Sequence, residues 1–518
     1  MAGMRTKKSL NNILVSCFSY IFLMLNSFII RGVFKRILGQ EIVGIEGVFL
    51  NVVSLLGIVE LGIGTGIVYK LYQPIADGDT RKIAILLNFY KKAYSIIATI
   101  VLSCGFIAAF FVPSLVKEDY SRNWLSLVFF MYVLEVLASY LFAQKRAMFT
   151  ADQRNYVNNI AHTVGQMISC VLQIAVLMGL HSYLGYLLVR IFCTALENIF
   201  ISWQYKKQYG YIDTKIKDDL PEKEKKGLFR NIKALLFHKI GAFSLTSTSS
   251  MIIARGVDLI SAGIYSNYML IVNGLNNITN QVFNGIVASF GNLMSTSTRE
   301  KAYENFKVLY FFNYLIYSFF SISFFVICVP FMKLWMGNDS LFPIATVSLI
   351  TLYFYIGGMR QAVNLVRTSA GIYQPDQYFP LIETAINLGL ALILVKPLGI
   401  NGVLVANLVS MFLVPFWTQP YIIHKNVFDT GVKNYYLRYC VYAAVALFSL
   451  LLTQFICSHL PAMGAMLTIV ADAAVCLVVP NAINLLVFWR TAEFQRLKGA
   501  GIGLWRDLQH RRSKKSSE

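Results

Sequence analysis

Single charged residues set inside long apolar stretches are the part of this sequence that could act on another molecule. Five of them are arginines: Arg31, Arg190, Arg255, Arg360 and Arg367. A guanidinium group is always charged, and its paired N–H donors match a phosphate or carboxylate group. The arginines therefore predict a cationic cleft. A cleft open sideways to lipid would suit an amphiphile with an anionic head group such as a diphosphate.

Acidic residues in similar surroundings form a second group of candidates. We select Glu60, Asp258 and Glu383 as groups that could bind a coupling ion, H⁺ or Na⁺. Further acidic residues in apolar segments are Glu135, Glu197 and Asp472. A charge at membrane depth is costly, so each residue indicates a partner, a wet cavity or a function. The simpler interpretation is a snorkelling side chain or an ion pair between helices. Arg190 and Glu197, seven residues apart on one helical face, could simply bridge to neighbouring helices.

Motifs of soluble enzymes are absent from the sequence, which contains no HExxH, GxSxG or GxxxxGK[ST] pattern. Gly62, Gly64 and Gly66 lack the dinucleotide-binding spacing and favour close helix packing. Asp77-Gly78-Asp79 is typical of a plain turn. The histidines are scattered, and the eight cysteines lie in apolar runs without a CxxC pair. We therefore predict a chain that is not an enzyme and has no cofactor, metal site or disulfide framework.

The composition predicts a membrane protein. Hydrophobic residues make up 56% of the 518 residues and charged residues only 14%, whereas a soluble protein has about 25% charged residues. The net charge of +20 is spread over short loops, which argues against nucleic-acid binding. Runs long enough to cross a bilayer predict fourteen spans: 11–30, 42–67, 93–115, 123–143, 157–179, 183–203, 240–260, 263–291, 307–329, 343–366, 379–396, 399–421, 437–457 and 463–489.

The distribution of basic residues predicts the orientation of these spans. With the N-terminus inside, about 37 of the 46 Lys and Arg residues fall on the cytoplasmic side and about eight on the other, as the positive-inside rule requires. Both termini are therefore expected in the cytoplasm. The outer loops are all short, whereas a membrane polysaccharide polymerase or glycosyltransferase usually needs a large outer loop to hold its acceptor.

The predicted domain organisation is two lobes of six spans each. The N-terminal lobe is 1–204, a basic cytoplasmic linker follows at 205–239, and the C-terminal lobe is 240–422. Two additional spans occupy 423–489, and a basic cytoplasmic tail occupies 490–518. A short internal repeat supports two parallel halves, because Asn88-Phe89-Tyr90 and Asn305-Phe306-Lys307 open spans three and nine.

Several segments resemble the polysaccharide-specific transporters of the multidrug/oligosaccharidyl-lipid/polysaccharide (MOP) superfamily, which are bacterial lipid-linked oligosaccharide flippases. The segments include LGQEIVGIEGVFLNVVSLLGIVELGIGTGIVYKLYQPIADGD (38–79), GIYSNYMLIVNGLNN (263–277), VPFMKLWMG (329–337) and RQAVNLVRTSAGIYQPDQYFPLIETAINL (360–388). The resemblance covers roughly residues 10 to 425, and its specificity lies in the order and spacing of loose motifs.

The resemblance implies an all-α, V-shaped, two-lobed bundle that works by alternating access. It also implies a flippase that exports undecaprenyl-diphosphate-linked repeat units across the bacterial cytoplasmic membrane for capsule, exopolysaccharide or another envelope glycan. Polymerases and glycosyltransferases of the same pathway are the expected partners besides membrane lipids, and a monomer is the expected state. The resemblance places Arg31, Glu60, Arg255, Arg367 and Glu383 in the cleft. Thr248-Ser249-Ser250 replaces the Thr-Asp-Asn run that relatives tend to have, which puts ion coupling in doubt or shifts it to Asp258.

Two other functions stay open from the sequence. A multidrug/cation antiporter of the same superfamily would favour acidic residues in the cleft and twelve spans. A membrane polysaccharide polymerase or glycosyltransferase would need the large outer loop that is missing.

Overall fold

The computed structural model is mainly helical in the part of the chain that it describes. That part comprises residues 2–57, 63–116, 120–140, 142–212, 220–222, 248–370, 372, 375, 378–461 and 463–499. Helices account for 90% of it, and this part contains no strand. The all-α prediction is confirmed. Glu60 lies outside the described residues.

Seventeen helices are bounded within the described residues, and two short 3₁₀ turns and one π turn join some of them. They are α1 (Ala2–Leu38), α2 (Gln40–Leu56), α3 (Ile63–Asp77), α4 (Thr80–Phe111), α5 (Arg122–Tyr140), α6 (Ala143–Ala151), α7 (Asn155–Leu180), α8 (Tyr183–Tyr209), α9 (Leu259–Thr296), α10 (Arg299–Met336), α11 (Ile344–Met359), α12 (Gln361–Ala370), α13 (Phe379–Leu398), α14 (Ile400–Leu413), α15 (Pro415–Ile423), α16 (Lys433–Ser458) and α17 (Ala465–Phe488). Residues 248–256 form a further helical segment.

Within the described residues, each of the fourteen predicted spans overlaps helical structure. Three of them, 42–67, 343–366 and 399–421, each overlap two consecutive helices, and residues 58–62 of the first lie outside the described residues. For 240–260 only the segment 248–256 and the start of α9 are described. Among the described residues, nine helices are long and apolar enough to cross a membrane by length and composition, and they include α4, α5, α7, α8, α10, α16 and α17.

The chain divides into two compact units. Unit 1 comprises Met1–Asn267 and Val395–Gly399, and unit 2 comprises Tyr268–Leu394 and Ile400–Glu518. The boundary falls within α9, whereas the sequence suggested a boundary at the linker 205–239. Most of that linker lies outside the described residues, so the predicted lobe boundaries stay a prediction.

Glycines bring two helices of unit 1 into backbone contact. A Cβ atom on Gly44 of α2 would lie 2.2 Å from the carbonyl oxygen of Leu259 at the start of α9. A Cβ on Gly263 of α9 would lie 2.8 Å from the carbonyl oxygen of Gln40. Small residues at such positions let helices approach closely, as they do in many membrane proteins. This contact places Ser266 and Asn267 of α9 beside α2.

Aromatic side chains hold unit 2 together around α10. The rings of Tyr314 and Tyr442 stack with centroids 4.4 Å apart, and those of Tyr310 and Tyr435 with centroids 4.8 Å apart. The Tyr314 hydroxyl donates to Asn484 Oδ1 of α17 at 2.7 Å. The last two helices, α16 and α17, therefore pack against α10 within unit 2.

We predict that Gly44→Ala destabilises the protein by about 1–3 kcal/mol, because the added methyl group must push α2 away from α9. Gly179→Ala is the matched control, since that glycine lies in α7 with open space around it, and alanine is the better helix former. Thermal unfolding in detergent measures both. Equal melting temperatures for Gly44→Ala and the control would contradict the close contact.

Candidate functional site

Glu46 of α2 is the centre of a buried network in unit 1. Arg31 of α1 donates to Glu46 Oε2 through Nη1, and Arg190 of α8 approaches Glu46 Oε1 at 3.4 Å. The hydroxyls of Tyr132 and Tyr186 donate to Oε1 at 3.3 and 3.4 Å. The Glu46 side chain is only 5% exposed. One carboxylate therefore receives two guanidinium groups and two phenols.

Arg31 ties three helices together. Its Nε donates to Asn267 Oδ1 at 2.9 Å, and its Nη2 donates to Ser266 Oγ. Both partners lie on α9, while Glu46 lies on α2. The guanidinium uses donors in three directions, as its fork geometry allows, and the α2–α9 contact sets the distance between its partners.

Arg190 is held mainly by Glu135 of α5. Its Nε donates to Glu135 Oε1 at 3.1 Å and its Nη2 lies 2.9 Å from Oε2, which is a bidentate pair. The guanidinium also lies 5.2 Å from the ring centre of Tyr132, within cation–π range. We call these four residues, Arg31, Arg190, Glu46 and Glu135, the arginine–glutamate network. The network balances two positive charges against two negative ones.

A second charged cluster lies two helical turns further along α8. Glu197 accepts from Arg146 Nη2 at 2.7 Å and contacts His162 Nδ1 at 3.2 Å. Asn198 accepts from the same guanidinium at 2.9 Å. The Glu197 side chain is 4% exposed. Arg190 and Glu197 thus each form an ion pair with a residue of a neighbouring helix.

Both clusters face one cavity of about 650 Å³ in unit 1. Its charged lining residues are Glu135, Arg146, His162, Arg190 and Glu197. Its aromatic lining residues are Tyr90, Tyr94, Tyr132 and Tyr140. A cavity this polar, within a helical bundle, suits a ligand that offers charge or many hydroxyl groups rather than a purely apolar one.

Unit 2 contains two further candidates, Arg360 and Glu383, that the sequence analysis did not pair. Arg360 Nη1 lies 3.9 Å from Glu383 Oε1, and Arg360 Nε donates to Gln419 Oε1 at 3.2 Å. Glu383 is 6% exposed. The structure therefore brings an arginine candidate and a carboxylate candidate together. Arg367 lies partly buried in the last turn of α12.

The remaining candidates occupy other surroundings. Arg255 is exposed in the segment 248–256. Asp258 accepts from the backbone N–H of Ser261 at 2.6 Å, which is N-cap geometry at the start of α9. Helix capping accounts for an acidic residue at this position. Ser249 and Ser250, which stand where relatives tend to have Asp and Asn, are both buried.

Sequence reasoning missed Glu46, the residue that holds the network together. It lies inside the predicted span 42–67, so the rule that singled out Glu60 applied to it equally. Its position between Gly44 and Gly47 was a further signal, because small neighbours allow another helix to approach. Ser266 and Asn267 carried no comparable signal, since polar uncharged residues are common in membrane helices.

Comparison with solved structures identifies the fold. A multidrug resistance MATE family transporter of the MOP superfamily, in an inward-facing conformation, aligns with a TM-score of 0.65 at 14% identity over 79% of this chain and 98% of that chain. The lipid II flippase MurJ, in an inward closed conformation, aligns with a TM-score of 0.62 at 10% identity over 92% of this chain and 98% of that chain. This is the fold of MOP-superfamily transporters.

The fold, together with the nine apolar helices, makes the chain a multi-pass membrane protein. The MATE transporter VcmN of Vibrio cholerae has the same fold, with a TM-score of 0.58 at 10% identity over 83% of this chain and 98% of that chain. No protein-family model matches the sequence, and no curated protein matches it.

We predict that Glu46→Gln destabilises the protein by about 3 kcal/mol or more, because it leaves Arg31 with only the neutral partners Ser266 and Asn267 beside it. Glu304→Gln is the control, since the Glu304 side chain is 40% exposed and such pairs contribute about 0–1 kcal/mol. Thermal unfolding in detergent provides the comparison. A Glu46→Gln protein as stable as the control would show that Glu46 does not hold the network.

Proposed function

We propose that the chain exports undecaprenyl-diphosphate-linked oligosaccharide repeat units across the bacterial cytoplasmic membrane by alternating access. The protein rearranges and releases its cargo unchanged, so no covalent step is needed. The orientation with both termini in the cytoplasm is part of the same proposal and rests on the positive-inside distribution of Lys and Arg.

The observation that carries the proposal is the exposure of the guanidinium groups. In each ion pair that lines the cavity the arginine is the more exposed partner: Arg190 is 21% exposed against 18% for Glu135, and Arg146 is 27% exposed against 4% for Glu197. A ligand entering the cavity therefore meets guanidinium donors before it meets carboxylates. Arginine presents five donors in a planar fork, so a guanidinium already paired with a carboxylate can still bind a phosphate oxygen.

The cavity lining supports an anionic or hydroxyl-rich cargo over a cationic drug. Both carboxylates that line it are occupied, Glu135 by Arg190 and Glu197 by Arg146. A cation would have to displace an arginine from its partner, which costs the energy of a buried ion pair. The multidrug/cation antiporter remains the second candidate, and the TM-score of 0.65 to a multidrug transporter is the observation that favours it.

Two further observations support a lipid-linked cargo. The resemblance to polysaccharide-specific transporters extends over segments of both units. In addition, the alignment with the lipid II flippase extends over 92% of this chain, against 79% for the MATE transporter. The proposed cargo shares a lipid-linked character with lipid II.

The test is flipping of a fluorescent undecaprenyl-diphosphate oligosaccharide in proteoliposomes. We expect Arg190→Gln/Glu135→Gln to lower the initial rate about tenfold, because it removes a cavity guanidinium without leaving an unpaired buried charge. The control is Arg299→Gln/Asp429→Asn, which neutralises an exposed pair at 3.4 Å and should flip at the wild-type rate.

The outcomes separate the two functions. Loss of flipping in the cavity variant alone supports the proposal. Absence of flipping by folded wild-type protein over a panel of lipid-linked glycans, together with export of cationic drugs, would establish the antiporter instead.

Coupling to H⁺ or Na⁺ is a separate part of the proposal. Glu383 is the buried candidate carboxylate in unit 2, 3.9 Å from Arg360. We expect Glu383→Gln to abolish any stimulation of flipping by an imposed ion gradient while flipping down a substrate gradient continues. Flipping that responds equally to the gradient in wild type and variant would remove Glu383 from the coupling step.

A further inference from the structure

A second pocket in unit 1 is separate from the charged cavity. Its volume is about 490 Å³. Four segments line it: the end of α1, the start of α2, the entry to α5, and the connection between α7 and α8. In the proposed orientation all four segments lie at the outer face of the membrane.

One wall of the pocket is aromatic. The rings of Tyr120 and Trp124 stack with centroids 5.6 Å apart and planes 20° apart. Trp124 in turn contacts Tyr183, with centroids 5.9 Å apart and planes at 51°. Tyr183 is 5% exposed, so this wall is built into the unit and does not consist of single aromatic side chains facing lipid, as in an interfacial belt.

Polar groups stand beside the aromatic wall. Glu41 accepts from the Tyr120 hydroxyl at 2.8 Å, which fixes its carboxylate near the pocket. Ser182 Oγ accepts from the backbone N–H of Gly185 at 3.1 Å, and a serine hydroxyl that accepts one bond still has its own proton to donate. His181 is exposed, in a left-handed backbone conformation with φ of 49°. The pocket thus offers donors and acceptors around an apolar surface.

We propose that this pocket, walled by Tyr120, Trp124 and Tyr183, binds saccharide. A pyranose ring has an apolar face of C–H groups that packs on an aromatic ring, and hydroxyl groups around its edge that need donors and acceptors. The pocket supplies both. An acyl chain would leave the polar groups of His181 and Ser182 without a partner in the ligand. A cation would use the aromatic faces but not the hydroxyl donors beside them.

The pocket is connected to the arginine–glutamate network through its back wall. The hydroxyl of Tyr183 lies 2.8 Å from that of Tyr132, and Tyr132 donates to Glu46 at 3.3 Å. A sugar that moves Tyr183 therefore changes the hydrogen bond between Tyr183 and Tyr132, and Tyr132 is a direct partner of Glu46. The assignment of this sugar to a lipid-linked cargo rests on the proposed function. In that function, the pocket binds the glycan part of the cargo after the glycan reaches the outer face.

The experiment uses the full-length protein in nanodiscs and free sugars without lipid. Cellotriose, chitotriose and a glucuronate-containing trisaccharide serve as probes, and binding is measured by saturation-transfer NMR and by titration calorimetry. We expect wild type to bind at least one probe. Trp124→Leu should weaken that binding about tenfold, and Trp124→Phe should weaken it less because a ring remains.

One further variant tests the rim of the pocket, and another controls for its position. His181→Gly keeps a residue that tolerates the left-handed conformation and should weaken binding, because it removes the imidazole from the rim; unchanged binding would remove His181 from the subsite. Trp203→Leu removes an exposed tryptophan of α8 that lies outside the pocket, and it should bind as wild type does. Thermal unfolding of each variant identifies any loss that follows from misfolding.

The outcomes distinguish this inference from the proposed function. Saccharide binding that depends on Trp124 supports the subsite even if no lipid-linked cargo is flipped. Failure of folded wild type to bind any of the three probes, or equal binding by wild type and Trp124→Leu, overturns the subsite, while flipping in proteoliposomes would leave the proposed function standing.

Discussion

The burial of Glu46 between two arginines is the interaction on which the organisation of unit 1 depends. A carboxylate with a 5% exposed side chain is stable only if its charge is matched and its oxygens accept hydrogen bonds. Arg31 and Arg190 supply the charge, and two tyrosines supply further donors. Because these partners come from α1, α5 and α8, the network fixes the positions of helices that are distant in the chain.

The same constraint determines what the cavity can bind. Every lining carboxylate is committed to an arginine, and the arginines are the more exposed partners. The cavity is close to neutral, yet its accessible donors are guanidinium groups. A site of this kind can hold an anion through guanidinium donors that the carboxylates do not use, so that no charge is left unpaired. The proposal of a diphosphate-bearing cargo follows from these remaining donors.

In the proposed function, the two pockets of unit 1 recognise different parts of the cargo. The charged cavity is assigned to the anionic part, and the aromatic pocket to the glycan. Tyr132 belongs to the network and contacts Tyr183 of the aromatic pocket. A hydrogen-bonded path of two hydroxyl groups therefore connects the two sites, and it offers a physical route by which occupation of one could affect the other.

Much of the fold was predictable from the sequence, because a bilayer imposes a length and an apolar composition on every helix that crosses it. Within the part of the chain that the structure describes, each predicted span overlaps helical structure, and the breaks within 343–366 and 399–421 are what hydropathy alone could not resolve. Hydropathy averages over a window, so two short apolar helices in succession have the same profile as one long helix.

The candidate site was predictable only as a set of residue types. The sequence by itself determined that arginines and carboxylates stand in apolar surroundings, since their high desolvation energy makes them conspicuous there. Only the tertiary structure decided the pairing of Arg190 with Glu135, of Arg146 with Glu197 and of Arg360 with Glu383. The physical reason is that an ion pair depends on atoms a few ångströms apart, and helix packing, set by contacts such as Gly44 on Leu259, brings together residues that the chain separates by dozens of positions.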